Sequence, residues 1–286
     1  MGQKAESKNA SMIAACHSNF ISAHEAVAWL VPGGLVERVG GLTFVRSGMA
    51  GSVFNLVFGL SAPTSLKEVR EGIDRIFVKT GTQFRIITTP ETQGLLKPLI
   101  DDVGLTVGTD VPGMVLDPIP EVSPDPPKGL EIRLLTELEE VKRYLRIGAV
   151  SFEMPQDYLD VWAPRLVAGS PSFSIANYIG YADGNPAATS LRYTTAHLAG
   201  IYLVSTLHEF RRRGFGEAMT WRAVMDGKID GCTASYLQAS SMGRPVYEHM
   251  GFRVLEEYKE WSAEAQESTS PNRTTLSNSA GRGDSN

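Results

Sequence analysis

The spacing of apolar residues divides the first 116 positions into alternating helices and strands. Between Ile13 and Leu30 they recur at helical spacing, which predicts an N-terminal helix that the following Pro-Gly-Gly ends. Ser65 and Glu68 form a capping-box pattern, which predicts the start of a second helix. The later predicted segments are strands at 42–45 and 53–58, a helix from 65, a strand at 84–87, a helix at 91–102 and a strand at 105–116. This order, α-β-β-α-β-α-β, indicates an α+β lobe.

The same kind of pattern returns in fuller form from Leu130 onward. An alternating strand and two amphipathic helices come first, and the Asp183-Gly184 turn then joins two strands as a hairpin. The predicted segments are strands at 130–134, 172–182, 186–194, 196–206, 234–238 and 252–261, and helices at 136–149, 156–167, 214–227 and 242–250. The pattern predicts a second α+β lobe with a mixed sheet.

A proline-rich stretch separates the two lobes. Five prolines lie between Asp117 and Gly129, where they fix the backbone and remove hydrogen-bond donors. After Trp261 the chain loses its apolar residues, so we expect a disordered tail. The predicted organisation is a lobe at 1–117, a linker at 118–129, a lobe at 130–261 and a tail at 262–286.

Composition narrows the classes of function. The 286 residues are 42% hydrophobic and 21% charged, as in ordinary globular proteins, and no run of about 18 apolar residues occurs. A net charge of −5 argues against a general nucleic-acid binder. Cys16 and Cys232 lie in different halves, which argues against a disulfide framework or a cysteine metal site. We therefore expect a cytoplasmic protein without metal, nucleic-acid or membrane partners.

The segment between a long apolar strand and an apolar helix carries the candidate chemistry. Gly214 and Gly216 remove side chains at this turn, so that backbone N–H groups can face a ligand. The following helix directs the positive end of its dipole at the same place, and Arg211, Arg212 and Arg213 add charge. Together these features would hold a pyrophosphate.

Other glycine-rich loops fit this segment less well. Met219 stands where a dinucleotide fingerprint needs its third glycine, and the Gly-Lys-Ser/Thr end of a Walker loop is absent. A basic helix start exposed to solvent remains the alternative for the loop taken alone.

Residues downstream of the loop favour the ligand-binding interpretation. A strand, a helix and the ending Tyr247-x-x-x-Gly251-Phe252 follow the Arg211-x-x-Gly214-x-Gly216 loop in order. In this region, about 130–261, the chain resembles the GNAT family of acyl-CoA-dependent N-acetyltransferases. The resemblance implies a complete acyl-CoA N-acyltransferase fold in the second lobe and acetyl-CoA, or another acyl-CoA, as co-substrate.

The resemblance also assigns cofactor contacts by position. The strand before the loop would pair with the pantetheine arm, and the loop amides would hold the pyrophosphate. The side chain of Phe215 is expected to pack inward rather than contact the cofactor. Ser240 stands where many members carry a cofactor-binding Asn. The residues implied are Val204, Ser205, Thr206, Arg211, Arg212, Arg213, Gly214, Phe215, Gly216, Glu217 and Ser240.

Tyr247 matches the usual general acid of the family, a phenol that protonates the departing CoA thiolate. A packed aromatic residue on an amphipathic helix is its alternative role. No motif identifies the base that takes the amine proton, and Glu153, Tyr202 and His197 are the candidates. Of these, Tyr202 and Glu153 are assigned to the substrate pocket. His208 fits a turn better than a base.

The first lobe has a similar order of elements but no Arg/Gly loop, since Ser61-Ala-Pro-Thr64 stands at that place. It is interpreted as a degenerate GNAT-like lobe in a tandem arrangement.

The function that the resemblance implies is transfer of an acetyl group to a primary amine of a small molecule, by a monomer or homodimer. A non-catalytic acyl-CoA-binding regulator and a protein lysine or N-terminal acetyltransferase are the alternatives.

Overall fold

The computed structural model describes residues 2–49, 51–152, 159–168 and 174–263. In this part of the chain, eleven strands form a single mixed sheet, and helices cover both faces. The strands of the first half are β1 (Leu35–Val39), β2 (Leu42–Arg46), β3 (Asn55–Gly59), β4 (Arg85–Thr88) and β5 (Thr106–Leu116). Those of the second half are β6 (Leu130–Leu134), β7 (Ser174–Ala182), β8 (Asn185–Thr195), β9 (Leu198–Thr206), β10 (Ala234–Gln238) and β11 (Arg253–Ser262).

Helices alternate with these strands along the chain. The first half contains α1 (Gly2–Leu30), α2 (Leu66–Ile73), which continues as a π-helical turn, and α3 (Pro90–Asp102). The second half contains α4 (Leu138–Ser151), α5 (Leu159–Ala168), α6 (Phe215–Ile229) and α7 (Arg244–His249). Within the described ranges, none of the helices combines the length and apolar character needed to cross a membrane.

The final strand of each half pairs with a strand of the other half. The strand order is β1-β2-β3-β4-β11-β5-β10-β9-β8-β7-β6. β5 therefore pairs with β10 of the second half, and β11 pairs with β4 of the first half. The two exchanged strands also pair with each other, from Arg253 opposite Val115 to Ser262 opposite Thr106. This exchange makes the sheet continuous across both halves.

Most elements predicted from the sequence are present, but one strand was missed. β1 forms a hairpin with β2 through Gly40 and Gly41, whose φ angles of 55° and 84° suit a tight turn with two left-handed residues. Leu35–Val39 interrupts its apolar residues with Glu37 and Arg38, so the pattern does not alternate strictly. The first half is therefore α-β-β-β-α-β-α-β, not the predicted order.

The linker contains no helix or strand, and it packs along the second half. Ile119 is buried, and its N–H donates to the carbonyl of Thr233. β11 ends at Ser262, and residues 264–286, most of the expected tail, lie outside the described residues. The exact domain boundaries stay a prediction.

The two faces of the second half carry different cores. Ala199 and Ile201 of β9 pack in the cluster that contains α6 and Tyr247. Leu198 and Tyr202, on the alternate positions, pack towards α1. The helix α1 also contacts β1 and β2, so it spans both halves of the sheet on this face.

Candidate active site

The candidate site begins where β9 and β10 separate. These parallel strands pair from Leu198 opposite Ala234 to Ile201 opposite Leu237, and the pairing ends there. β9 continues to Thr206 with β8 as its partner, so the edge that faced β10 is open over residues 202–206. Val204, Ser205 and Thr206 lie in this open stretch. Its backbone groups are available to an extended ligand.

A β-bulge lies in the same stretch. Thr189 of β8 pairs with Ser205 and Leu191 pairs with Tyr202, so β9 has one residue more than β8 between these two pairs. Leu203 has a φ of 48°, a left-handed conformation that is strained for a branched side chain. As a result, Tyr202 and Leu203 both pack on the α1 and α4 face, and Val204 packs on the α6 face.

Thr189 stabilises the bulge. Its hydroxyl lies 2.8 Å from the carbonyl oxygen of Leu203 and 2.7 Å from Oγ of Ser205. The hydroxyl has one proton, which it donates to the carbonyl, so Ser205 donates to Thr189. Thr189 was not predicted from the sequence, because a threonine inside a strand carries no signal of such a role.

The loop before α6 presents its backbone to solvent. Arg211 to Gly214 are exposed, and Gly214 at the N-cap has a φ of 76° and provides no side-chain cap. A Cβ at Gly216 would meet only Oγ1 of Thr206, at 3.8 Å. The first N–H groups of this 15-residue helix are therefore open to an anion, as the glycine pattern predicts.

The three arginines have different surroundings. Nε of Arg211 donates to the carbonyl of Thr206, 3.1 Å away. Arg213 lies 3.5 Å from Asp183 and stacks on the ring of Phe215 at 4.6 Å. Arg212 is exposed and has no hydrogen bond or ion pair in the described part of the chain. Of the three arginines, Arg212 is therefore the one whose guanidinium is most available to bind an anion.

Two further loop residues contribute in different ways. The side chain of Phe215 is buried in the core, so only its backbone can face a ligand. This agrees with the packing role that the sequence favoured for it. Glu217 lies in the first turn of α6, where its backbone N–H belongs to the open set.

Tyr247 of α7 is buried in the core cluster that also contains residues of α6 and β9. Its ring lies 5.9 Å from that of Phe252, and a Cβ at Gly243 would approach Cε2 of Tyr247 to 2.9 Å, so this close packing requires the glycine. Burial raises the pKa of Tyr247 to about 12, and a hydrogen bond with Thr220 of α6 acts in the opposite direction. The phenol is therefore protonated at neutral pH and able to donate.

Ser240 has a local structural contact. Its Oγ accepts the N–H of Gly243 at 3.1 Å, and its carbonyl accepts from Gly243 and Arg244. These bonds form the turn that begins α7. The hydroxyl proton of this exposed residue is left for another partner.

The base candidates from the sequence do not form a cluster. Tyr202 donates to Asn19, and burial raises its pKa well above the usual value, so it is a poor base at neutral pH. His197 is exposed at the start of β9, and His208 lies in an exposed helical turn. Glu153 lies outside the described residues. Two polar residues of α1 that the sequence patterns did not indicate, Asn19 and His24, lie beside Tyr202.

The equivalent place in the first half is closed. Ser65 caps α2, and its Oγ accepts the N–H of Glu68 at 3.2 Å. The side chain thus occupies the helix end that Gly214 leaves open in α6. This contrast agrees with the interpretation of the first half as a degenerate lobe. Among the residues that the structure describes, no three His, Cys, Asp or Glu side chains come together as a metal site would require.

Comparisons with known proteins identify the fold. No family model and no curated protein matches the chain. Among solved structures, a GCN5-related N-acetyltransferase from Kribbella flavida is 18% identical with a TM-score of 0.66, covering 87% of this chain and 96% of that one. An N-acetyltransferase of the same name from Sphaerobacter thermophilus is 17% identical with a TM-score of 0.57, covering 72% and 71%.

A third similar structure has two lobes. It is a tandem GNAT protein from the clavulanic acid biosynthesis pathway, 13% identical with a TM-score of 0.55, covering 82% of this chain and 85% of that one. The chain thus has the GNAT fold in a tandem, two-lobed form, as the sequence motifs predicted. At these identities the likeness establishes the fold alone.

Proposed function

We propose that this protein transfers an acetyl group from acetyl-CoA to a primary amine of a small molecule, by direct attack in a ternary complex. The observation that carries the proposal is the open edge of β9 beside the uncapped N-terminus of α6. One end of this site suits an extended amide-containing arm, and the other suits a pyrophosphate.

Acetyl-CoA would bind mainly through the backbone. Val204 to Thr206 would pair with the amides of the pantetheine arm, and the N–H groups from Arg211 to Glu217 would hold the pyrophosphate. Arg212 has no protein partner among the described residues, so its charge is available to a phosphate. Gly214 and Gly216 allow the ligand to approach the backbone closely.

The chemistry requires polarisation of the carbonyl and a proton for the leaving group. The lone pair of the neutral amine attacks the thioester carbon, and a backbone N–H near Val204 would stabilise the developing oxyanion. The C–S bond then breaks, and the thiolate takes its proton from Tyr247. The amine proton passes to solvent, from which the tyrosinate is protonated again.

Two measurements test the proposal. Calorimetric titration should give saturable binding of acetyl-CoA, and free-thiol detection should show CoA release with a small amine. Tight binding without release across amines, amino acids and peptides would favour an acyl-CoA-binding regulator. Release only with peptides would favour a protein acetyltransferase, and lack of acetyl-CoA binding would reject the whole proposal.

A further inference from the structure

At the open end of β9, both halves of the chain cover the face opposite α6. Leu203 packs in an apolar cluster with Phe54 of the first half and Trp162 of α5, whose rings lie 5.5 Å apart. Tyr202 packs against α1 on the same face. The bulge thus turns two consecutive side chains of β9 towards aromatic residues from both halves.

His24 of α1 lies among these aromatic rings. Its ring centroid is 5.5 Å from that of Phe58 and 6.4 Å from those of Phe54 and Tyr202. Nδ1 lies 3.0 Å from the carbonyl oxygen of Phe20, so Nδ1 carries the proton and donates it. Nε2 is then an acceptor, and it has no hydrogen-bond partner among the described residues.

The surroundings keep this imidazole neutral. Burial lowers the pKa of His24 to about 4, and the hydrogen bond to Phe20 acts in the opposite direction. No charged side chain is among the causes of the shift. An uncharged acceptor among aromatic rings suits an uncharged N–H donor and offers no carboxylate to a polycation.

The neighbouring cluster also contains unpaired polar atoms. The hydroxyl of Tyr144 and Nε1 of Trp162 are buried without a hydrogen-bond partner in the described ranges. Tyr144 is 2% exposed and Trp162 is 4% exposed, so both side chains are shielded from bulk water. Both residues belong to the cluster that Leu203 packs against, on the face that α4 and α5 cover.

We propose that this region is the acceptor site, an inference that rests on the proposed function. Nε2 of His24 accepts an N–H of a neutral small amine and holds the lone pair of that amine towards the thioester at the open end of β9. The aromatic residues select an amine with an aromatic or apolar body. The N-terminal helix of the degenerate half therefore completes the active site of the other half.

Steady-state kinetics with two probe amines test the inference. Phenethylamine should be used with a kcat/KM at least tenfold above that of spermidine. His24→Leu, which cannot accept a hydrogen bond, should lower kcat/KM for phenethylamine about tenfold. His24→Gln, whose amide oxygen can accept a hydrogen bond, should retain part of the kcat/KM for phenethylamine that His24→Leu loses. The matched control is His249→Leu, at an exposed position of α7, which should match wild type.

Acetyl-CoA binding separates this inference from the proposed function. Both His24 variants should bind acetyl-CoA with the wild-type Kd. Transfer by wild type with unchanged kinetics in His24→Leu, or a preference for spermidine, would overturn the inference and leave the proposed function intact. Acetyl-CoA binding without transfer to any amine would overturn both.

A measurement on the wild-type protein does not depend on how the variants fold. In ¹⁵N-histidine-labelled protein saturated with CoA, phenethylamine should shift the Nε2 resonance of His24 and leave that of the exposed His249 in place. If saturating amine leaves the His24 resonance unchanged, the inference is wrong.

Discussion

The Tyr202 hydroxyl donates a 2.6 Å hydrogen bond to Oδ1 of Asn19. The amide nitrogen of this fully buried asparagine donates to the carbonyl of Tyr193 at 3.1 Å and to Oγ1 of Thr195 at 2.8 Å. A Cβ at Gly200 would lie 1.9 Å from the same Oδ1, so the glycine permits this close approach. One amide side chain thus fixes the N-terminal helix over β8 and the open end of β9.

Asn19→Ala should destabilise the protein. The change removes the acceptor of the Tyr202 hydroxyl and the buried amide donor to the Tyr193 carbonyl and Thr195 Oγ1, which should lower the free energy of unfolding by about 3 kcal/mol. Urea denaturation measures this loss. Asn9→Ala, at an exposed position of the same helix, is the control and should leave stability within about 0.5 kcal/mol of wild type. Equal effects of the two changes would contradict the anchoring role.

Tyr247→Phe should slow turnover without weakening acetyl-CoA binding. The change removes the proton donor for the thiolate and keeps the packed ring, so kcat should fall about 100-fold. Thiol-release kinetics and calorimetry provide the two measurements. Tyr258→Phe, on β11 with its hydroxyl 2.9 Å from that of Tyr236, is the control. A wild-type kcat in Tyr247→Phe would remove this residue from the mechanism.

Arg212→Glu combined with Gly214→Asp should abolish acetyl-CoA binding. The first change reverses the exposed charge, and the second places a carboxylate and a strained left-handed residue at the N-cap of α6. Calorimetry should detect no binding. Arg143→Glu reverses an exposed charge on α4 and should keep the wild-type Kd. Retained affinity in the double variant would show that this loop does not hold the pyrophosphate.

Thr189→Val should disturb the bulge that Thr189→Ser preserves. Valine has nearly the same shape but cannot donate to the carbonyl of Leu203 or accept from Ser205. We expect kcat/KM for acetyl-CoA to fall about tenfold in the valine variant, the equivalent of one lost hydrogen bond. The serine variant should stay near wild type. Equal kinetics in the two variants would exclude a role for the hydroxyl.

His24 should make stability depend on pH in a defined window. The folded pKa of about 4 lies below the ordinary value of 6.5, so the unfolded chain takes up a proton first as the pH falls. The contribution is complete above pH 6.5 and disappears progressively towards pH 4. It amounts to about 3 kcal/mol by linkage.

Urea denaturation of wild type and His24→Leu at pH 7, 5.5 and 4.5 isolates this contribution. Carboxylates affect both proteins alike, so the stability difference between them should shift in favour of the leucine variant as the pH falls. A difference that stays constant over this range would show that His24 is not held neutral.

Local sequence patterns were sufficient to predict most helices and strands and the glycine-containing loop before α6. Glycine at 214 and 216 removes side chains wherever the helix lies, and Tyr247 follows at a spacing that belongs to the motif. Periodicity also identified ten of the eleven strands and missed only Leu35–Val39, where polar residues interrupt the apolar pattern. These patterns depend on residues close together in the sequence, so they can be recognised without knowledge of the fold.

The strand exchange and the residues that cover β9 on the face opposite α6 follow only from tertiary contacts. The exchange depends on which sheet edge β5 and β11 reach, and strand patterns do not encode a partner. Asn19 and His24 are about 180 residues from Tyr202 in sequence and meet it only because α1 crosses both halves. The bulge at Leu203 likewise arises from pairing with β8, and it places Tyr202 and Leu203 on the same face of the sheet.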